Sequence, residues 1–115
     1  MVVVVRQDLG MSRGKVAAQC GHAVLGAYQL AQRVAPEWCA AWAFRACAKV
    51  ALRADSEPQL LALLAAARAA GLPSVVIEDA GRTEIAPGSR TVLGIGPAPV
   101  PLINAVTGRL QLLAN

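Results

Sequence analysis

The sequence predicts an α/β sandwich with a mixed sheet, and three observations carry that expectation. A β-branched run inside Val2–Gln7 has the pattern of a central strand covered on both faces. The periodic segments follow the order β-α-α-β-α-β-β-α, which layers helices on a sheet. Finally, Ala86-Pro87-Gly88-Ser89 has Pro and Gly where a type II turn wants them, so the last strand should run antiparallel to its predecessor. The first two crossovers are expected to be right-handed, with parallel strands. At 115 residues, the chain is expected to form one domain, residues 1–115, with a core that needs no staples.

Each element has a local cause. After the first strand, Asp8–Met11 turns the chain and Ser12 is placed to cap a helix over about Arg13–Arg33. Val16, Ala17, Cys20, Ala23, Val24 and Ala27 give that helix a one-sided apolar stripe. Pro36 ends it. Glu37–Ala46 suits a short second helix with Trp38 and Trp42 at i, i+4, which reads as a pair of core or interface anchors. Ala48–Arg53 reads as a strand. Ser56-Glu57-Pro58-Gln59 is a capping box that opens a helix to about Ala70, closed by Gly71 and Pro73. Ser74–Glu78 and Thr91–Gly96 are the remaining strands. A last short helix begins near Pro99–Val100 and ends at Gly108. Arg109–Leu113 alternates weakly, and its pairing stays open.

Composition narrows the function classes. The chain is 56% hydrophobic but only 3% aromatic, so Ala, Leu and Val must build a closely packed core. No apolar run is long enough to cross a bilayer, and Val2–Val5 is too short for a signal-peptide core. The expectation is a cytoplasmic protein without a membrane anchor. A net charge of +4 fits a nucleic-acid or phosphorylated partner, though small basic proteins often bind neither. Cys20, Cys39 and Cys47 form no CxxC and should be reduced thiols. With His22 as the sole histidine, no metal site and no cofactor are expected.

Glu78–Pro97, EDAGRTEIAPGSRTVLGIGP, holds more chemistry than a connector needs. Asp79, Arg82, Thr83, Arg90 and Thr91 sit on a backbone punctuated by Gly81, Pro87, Gly88, Gly94 and Gly96. Either Asp79 and Arg82 merely pair to hold the turn, or this is a working loop. On the first helix, Lys15, Gln19 and His22 line one stripe about 100° round from Val16. Gln19 and His22 read equally well as a polar boundary row. Arg13 and Lys15 occupy the first turn, where the helix dipole disfavours cations. Cations at a helix start make an anion site, and Gly10 and Gly14 would let a ligand approach. Arg6 ends the first strand at the edge where α/β sheets place ligands, and Asp79 leaves the third strand there. If strands one and three are parallel neighbours, Lys15 and Asp79 converge. An acid to hold water, a lysine to stabilise an oxyanion and hydroxyls to position both would make a metal-free hydrolase or transferase.

At these residues the sequence resembles the archaeal and eukaryotic-type peptidyl-tRNA hydrolases, the second class of that activity. The matching segments are VVVVRQDLGMSRGKVAAQCGHA, AGLPSVVIEDAGRTEIAPGSRTVLGIGPAP and INAVTGRLQLL. The resemblance implies a three-layer α/β/α sandwich around a four-stranded mixed sheet of order 2-1-4-3, usually as a homodimer. It implies hydrolysis of the ester joining a stranded peptide to the 3′ ribose of tRNA. Carried over by position, the catalytic candidates are Lys15, Asp79, Thr83 and Thr91, with Gln19 and His22 in support. Arg6, Arg13, Arg82 and Arg90 would face the tRNA backbone, making binding salt-sensitive and blind to sequence. The match is weak from Gln29 to Pro58. The alternatives are a non-catalytic RNA-binding or adaptor module that keeps the fold, and a hydrolase of another aminoacyl or nucleotide ester. The joint presence of Lys15, Asp79, Thr83 and Thr91 favours an enzyme over the non-catalytic module, and cleavage of an N-blocked aminoacyl-tRNA against a small ester lacking tRNA would separate the two hydrolases.

Overall fold

The computed structural model describes residues 1–81 and 85–114. Its elements are β1 (Val2–Arg6), α1 (Arg13–Val34), α2 (Pro36–Phe44), β2 (Val50–Ala54), α3 (Glu57–Ala69), β3 (Ser74–Glu78), β4 (Arg90–Ile95) and α4 (Val100–Thr107). The sheet has the order β2-β1-β4-β3. β1 pairs parallel with β2, while β4 runs antiparallel to both β1 and β3. This is the order that the family resemblance implies. Strands one and three do not meet the condition of being neighbours, because β4 lies between them. They still point the same way, so both end at one edge of the sheet.

Alternation along β1 divides the core into two layers. Val3 and Val5 pack with Val92 and Ala23 on the α1 face. Val2 and Val4 join Leu52, Leu60, Leu64, Leu93, Ile95 and Ile103 on the α3 and α4 face. Leu60, Leu93 and Ile95 have no exposed surface, and each such burial contributes about 1.5–3 kcal/mol. On the other face the alanines have a geometric purpose. A Cβ on Gly94 would lie 2.8 Å from the Ala23 carbonyl oxygen, so α1 rides almost directly on β4. Its buried line is Gln19, Ala23, Ala27 and Ala31. The expected stripe thus shifts: Ala17 is exposed and Gln19 is buried.

Other boundaries moved for local reasons. Pro36 both ends one helix and starts the next, since Ala35 is the C-cap of α1 and the N-cap of α2. Ala46 and Cys47 turn with positive φ, and the Trp42 indole N–H donates to the Ala48 carbonyl at 2.7 Å, which delays β2 to Val50. Trp38 packs against the larger core cluster, while Trp42 sits between Tyr28 and the Lys49 ammonium. In the capping box, Ser56 Oγ accepts from the Gln59 amide, but the Gln59 side chain reaches back to Asp55 rather than Ser56. The C-terminal stretch does pair: Leu112 bridges Leu52 in antiparallel fashion. Cys20, Cys39 and Cys47 are free thiols. No helix of the described residues is long and apolar enough to cross a membrane.

Candidate active site

Among the described residues buried polar side chains are few, and most of them gather at one edge. Arg6, Gln19, Asp79 and Thr91 are all buried where β1 and β3 end and β4 begins. Burying such groups is costly unless they are bonded, so their partners reveal what the edge is built to hold.

Asp79 is fixed from three sides. Its backbone N–H donates to the Ser89 carbonyl and its carbonyl accepts from Gly88 N–H, both at 2.8 Å. These bonds tie it to the Ala86–Ser89 turn. Gly88 at φ +79° gives that turn its expected type II character, with Ser89 N–H donating to the Ala86 carbonyl at 3.3 Å. Gly81 N–H donates to Asp79 Oδ2 at 2.8 Å. Gly81 has φ +78°, and a Cβ there would come within 2.4 Å of the Pro87 ring, so only glycine fits. The other carboxylate oxygen accepts from the Lys15 ammonium. Lys15 comes from the first turn of α1, whose N-cap Ser12 accepts from the Lys15 amide at 3.3 Å. The two side chains are 11% and 2% exposed, so the ion pair is nearly dry. The Lys15 ammonium holds the Asp79 carboxyl below the usual carboxylate range. Burial pushes the other way, and the Gly81 N–H adds to the lysine's effect.

Beneath this pair lies a second, neutral layer. The Gln19 side-chain amide donates to Thr91 Oγ1 at 2.8 Å, and the Thr91 hydroxyl donates to the Ile77 carbonyl at 3.3 Å. Thr91 reaches α1 because of a bulge. Ile77 pairs with Val92 but Glu78 pairs with Arg90, which leaves Thr91 as an extra residue on β4. A bulge re-aims a side chain, and here it turns the hydroxyl toward Gln19.

A cavity of about 700 Å³ opens on this arrangement, lined by Lys15, Gln19, His22, Glu78 and Asp79 among others. Lys15, Asp79, Gln19 and His22 are therefore brought together. Thr91 supports Gln19 from below with no exposed surface of its own. Arg13 is exposed on the first turn of α1. The expected ring of guanidinium groups does not form as drawn. Arg6 is buried, bonding Asp8 through Nε and Nη2, and Glu57 and the Arg90 carbonyl through Nη1. Arg90 Nη1 in turn donates to Glu57 at 2.9 Å. Arg6 is thus engaged toward α3 rather than the cavity, while Arg90 divides itself between Glu57 and, at 3.9 Å through Nε, the cavity-lining Glu78. Arg82 and Thr83 lie outside the described residues. Glu57 and Asp8 were missed as partners. Glu57 is 51 positions from Arg6 in the chain, and its place in a capping box gave it a sufficient local explanation.

A mixed α/β sheet, with an ammonium–carboxylate pair bordering a cavity at its strand ends, has the layout of a small α/β enzyme. A family model described as peptidyl-tRNA hydrolase PTH2 matches residues 1–113, and the chain belongs to that family. It is 54% identical over 112 residues to a Homo sapiens protein named "Peptidyl-tRNA hydrolase 2, mitochondrial", an alignment covering 97% of this chain and 63% of the relative. A Schizosaccharomyces pombe protein named "Probable peptidyl-tRNA hydrolase 2" is also 54% identical, over 97% of this chain and 55% of its own length. The chain thus spans less than two thirds of these two relatives. A Thermococcus onnurineus protein named "Peptidyl-tRNA hydrolase" is 44% identical over 97% of this chain and 95% of its own.

Proposed function

We propose that the chain, acting as a single domain, hydrolyses the ester bond of peptidyl-tRNA, releasing the peptide and a free tRNA. The carrying observation is the desolvated Lys15–Asp79 pair, held at the mouth of a cavity at the strand ends. Family membership supplies the substrate class. In this reading the Asp79 carboxylate orients water toward the ester carbonyl. The Lys15 ammonium shifts from Asp79 to the oxygen that becomes negative as water adds. Collapse of the tetrahedral intermediate breaks the bond to the 3′ ribose oxygen, which takes the proton that the attacking water gave up by way of the Asp79 carboxylate. Because its pKa is depressed, Asp79 is fully ionised at neutral pH and acts more by orienting water than as a strong base. Gln19 holds the floor of the site through Thr91, His22 borders its mouth, and Thr83 completes the set that the family motif assigns.

Arg13, Arg82 and Arg90 are the candidates to track tRNA phosphates, and Arg6 serves them as a strut. A homodimer, a cytoplasmic setting and independence of any metal or cofactor belong to the same reading. Free cysteines suit a reducing compartment, while the mitochondrial designation of the human relative marks the competing address.

The test is cleavage of an N-blocked aminoacyl-tRNA in EDTA, from neutral pH down to about pH 5. A carboxyl whose folded pKa lies below its unfolded value, about 3.9, stays ionised and stabilising across that range. It loses both only as pH falls through the folded value. Release of the acyl group in EDTA with no Asp79-dependent fall by pH 5 is expected. tRNA binding without release would instead make the chain an RNA-binding module.

A further inference from the structure

The cavity beside Lys15 and Asp79 has two unlike walls. One is the first half of α1, through Lys15, Ala18, Gln19 and His22, and the other is the end of β3. β3 is an outermost strand of the sheet. Its ladder shows which backbone groups face outward. Gly96 N–H donates to the Pro73 carbonyl at 2.8 Å, and the following pairs are Ser74 with Ile95, Val75 with Gly94, Val76 with Leu93 and Ile77 with Val92. Bonded pairs alternate along an antiparallel ladder. Residues 73, 75 and 77 therefore bond to β4, while Ser74, Val76 and Glu78 turn their N–H and C=O groups away from it. No strand among the described residues pairs with that outer edge. An open edge is a template for another strand, and a main chain laid along one is recognised through its backbone rather than its side chains.

We infer that the peptidyl part of the substrate binds as an added strand along the outer edge of β3, parallel to it, with its terminal carbonyl at Lys15 and Asp79. This rests on the hydrolase reading above. The occupant follows from continuity, because the cavity that receives the ester is the same one whose wall is the β3 edge. The direction follows from connectivity, because Asp79 directly succeeds β3. The carbonyl end lies at the strand's C-terminus, and the peptide runs back toward Ser74. Ser74 is buried, so the accessible edge of β3 runs from Val75 to Glu78; at about 3.3 Å per residue that is roughly 13 Å, enough for about four substrate residues. Recognition through backbone groups alone suits a substrate whose side chains vary without limit.

The test needs only the wild-type chain. Peptidyl-tRNAs carrying N-blocked alanine peptides of one to six residues are compared by kcat/KM. A scan then places a single N-methyl group at each peptide bond in turn. The expected result is a rise with length that levels off near four residues. N-methylation should cost roughly tenfold, the worth of one lost backbone hydrogen bond, at every second position and little at those between. A flat length series with active enzyme overturns the added strand and leaves the hydrolase reading intact. A rise with length but equal sensitivity at every N-methyl position also overturns it, by showing an apolar groove without strand pairing. Failure to cleave even the single-residue substrate removes the hydrolase reading, and this inference with it.

Discussion

Two charged clusters share one edge of the sheet and are built in opposite ways. On the α1 face, Lys15 and Asp79 form a single pair with almost no water contact, backed by the neutral Gln19–Thr91 layer. On the α3 face, Arg6, Asp8, Glu57 and Arg90 share several bonds, and the carboxylates keep about a third of their side-chain surface exposed. A dry pair confronting a cavity is poised: a ligand entering there meets strong, unscreened fields. A wet, multiply bonded cluster tolerates the loss of a contact and chiefly fixes where its strands and helix meet. Position at the strand ends does not by itself mark a candidate catalytic group; Arg6 is as buried as Lys15, and what sets the Lys15–Asp79 pair apart is a desolvated carboxylate with a cavity beside it.

The sharpest break of this contrast is Asp79→Asn. The amide keeps the size and can still accept from Gly81, but it carries no charge to pair with Lys15 or to hold water. The loss of kcat on peptidyl-tRNA is expected to be at least about a hundredfold, with circular dichroism unchanged. Turnover within a few-fold of the wild type, in a folded variant, would take Asp79 out of the chemistry.

Thr91→Val probes the neutral layer under the pair. It leaves the Gln19 amide buried without an acceptor, an unsatisfied group that costs about 1–3 kcal/mol. Freed from the bulge, Gln19 no longer fixes the floor beneath Lys15. A fall of about tenfold in kcat with KM little changed is expected, and Thr91→Ser should restore most of it by returning the hydroxyl. Lost stability with normal kcat would make the layer purely structural.

How much of this was legible follows the range of each interaction. Capping by Ser12, the type II turn at Pro87–Gly88 and the strand Ser74–Glu78 are set by neighbours in the chain, and the sequence shows them directly. The approach of Lys15 to Asp79 could be stated only as a condition on strand order. Its supposed mechanism, adjacency of strands one and three, is replaced by β4 lying between two strands that point the same way. The bulge at Thr91 left no trace because it is a register difference between two strands, not a property of either. Arg6 looked like a free cation at a strand end. It is buried among Asp8, the Arg90 carbonyl and Glu57, two of which come from distant parts of the chain.

The mildest change, Glu57→Gln, tests the wet cluster from its centre. Glu57 accepts from Arg6 at 3.3 Å and from Arg90 at 2.9 Å, and as the first residue of α3 its charge also favours the helix start. The amide keeps the shape but gives up both ion pairs. Arg6 retains Asp8 and the Arg90 carbonyl, so it is not stranded. A loss of about 1–2 kcal/mol in unfolding free energy is therefore expected, measured by urea denaturation. Activity should respond differently, because none of Arg6, Asp8, Glu57 and Arg90 lines the cavity beside Lys15 and Asp79. kcat stays at the wild-type value, while Arg90, left with only the looser 3.9 Å pair to Glu78, becomes more available to tRNA phosphate and lowers KM by about twofold at low salt. A fall in kcat comparable to that of Thr91→Val, without unfolding, would show that the two clusters act as one site, and that exposure of the carboxylates does not separate structural from catalytic charge at this edge.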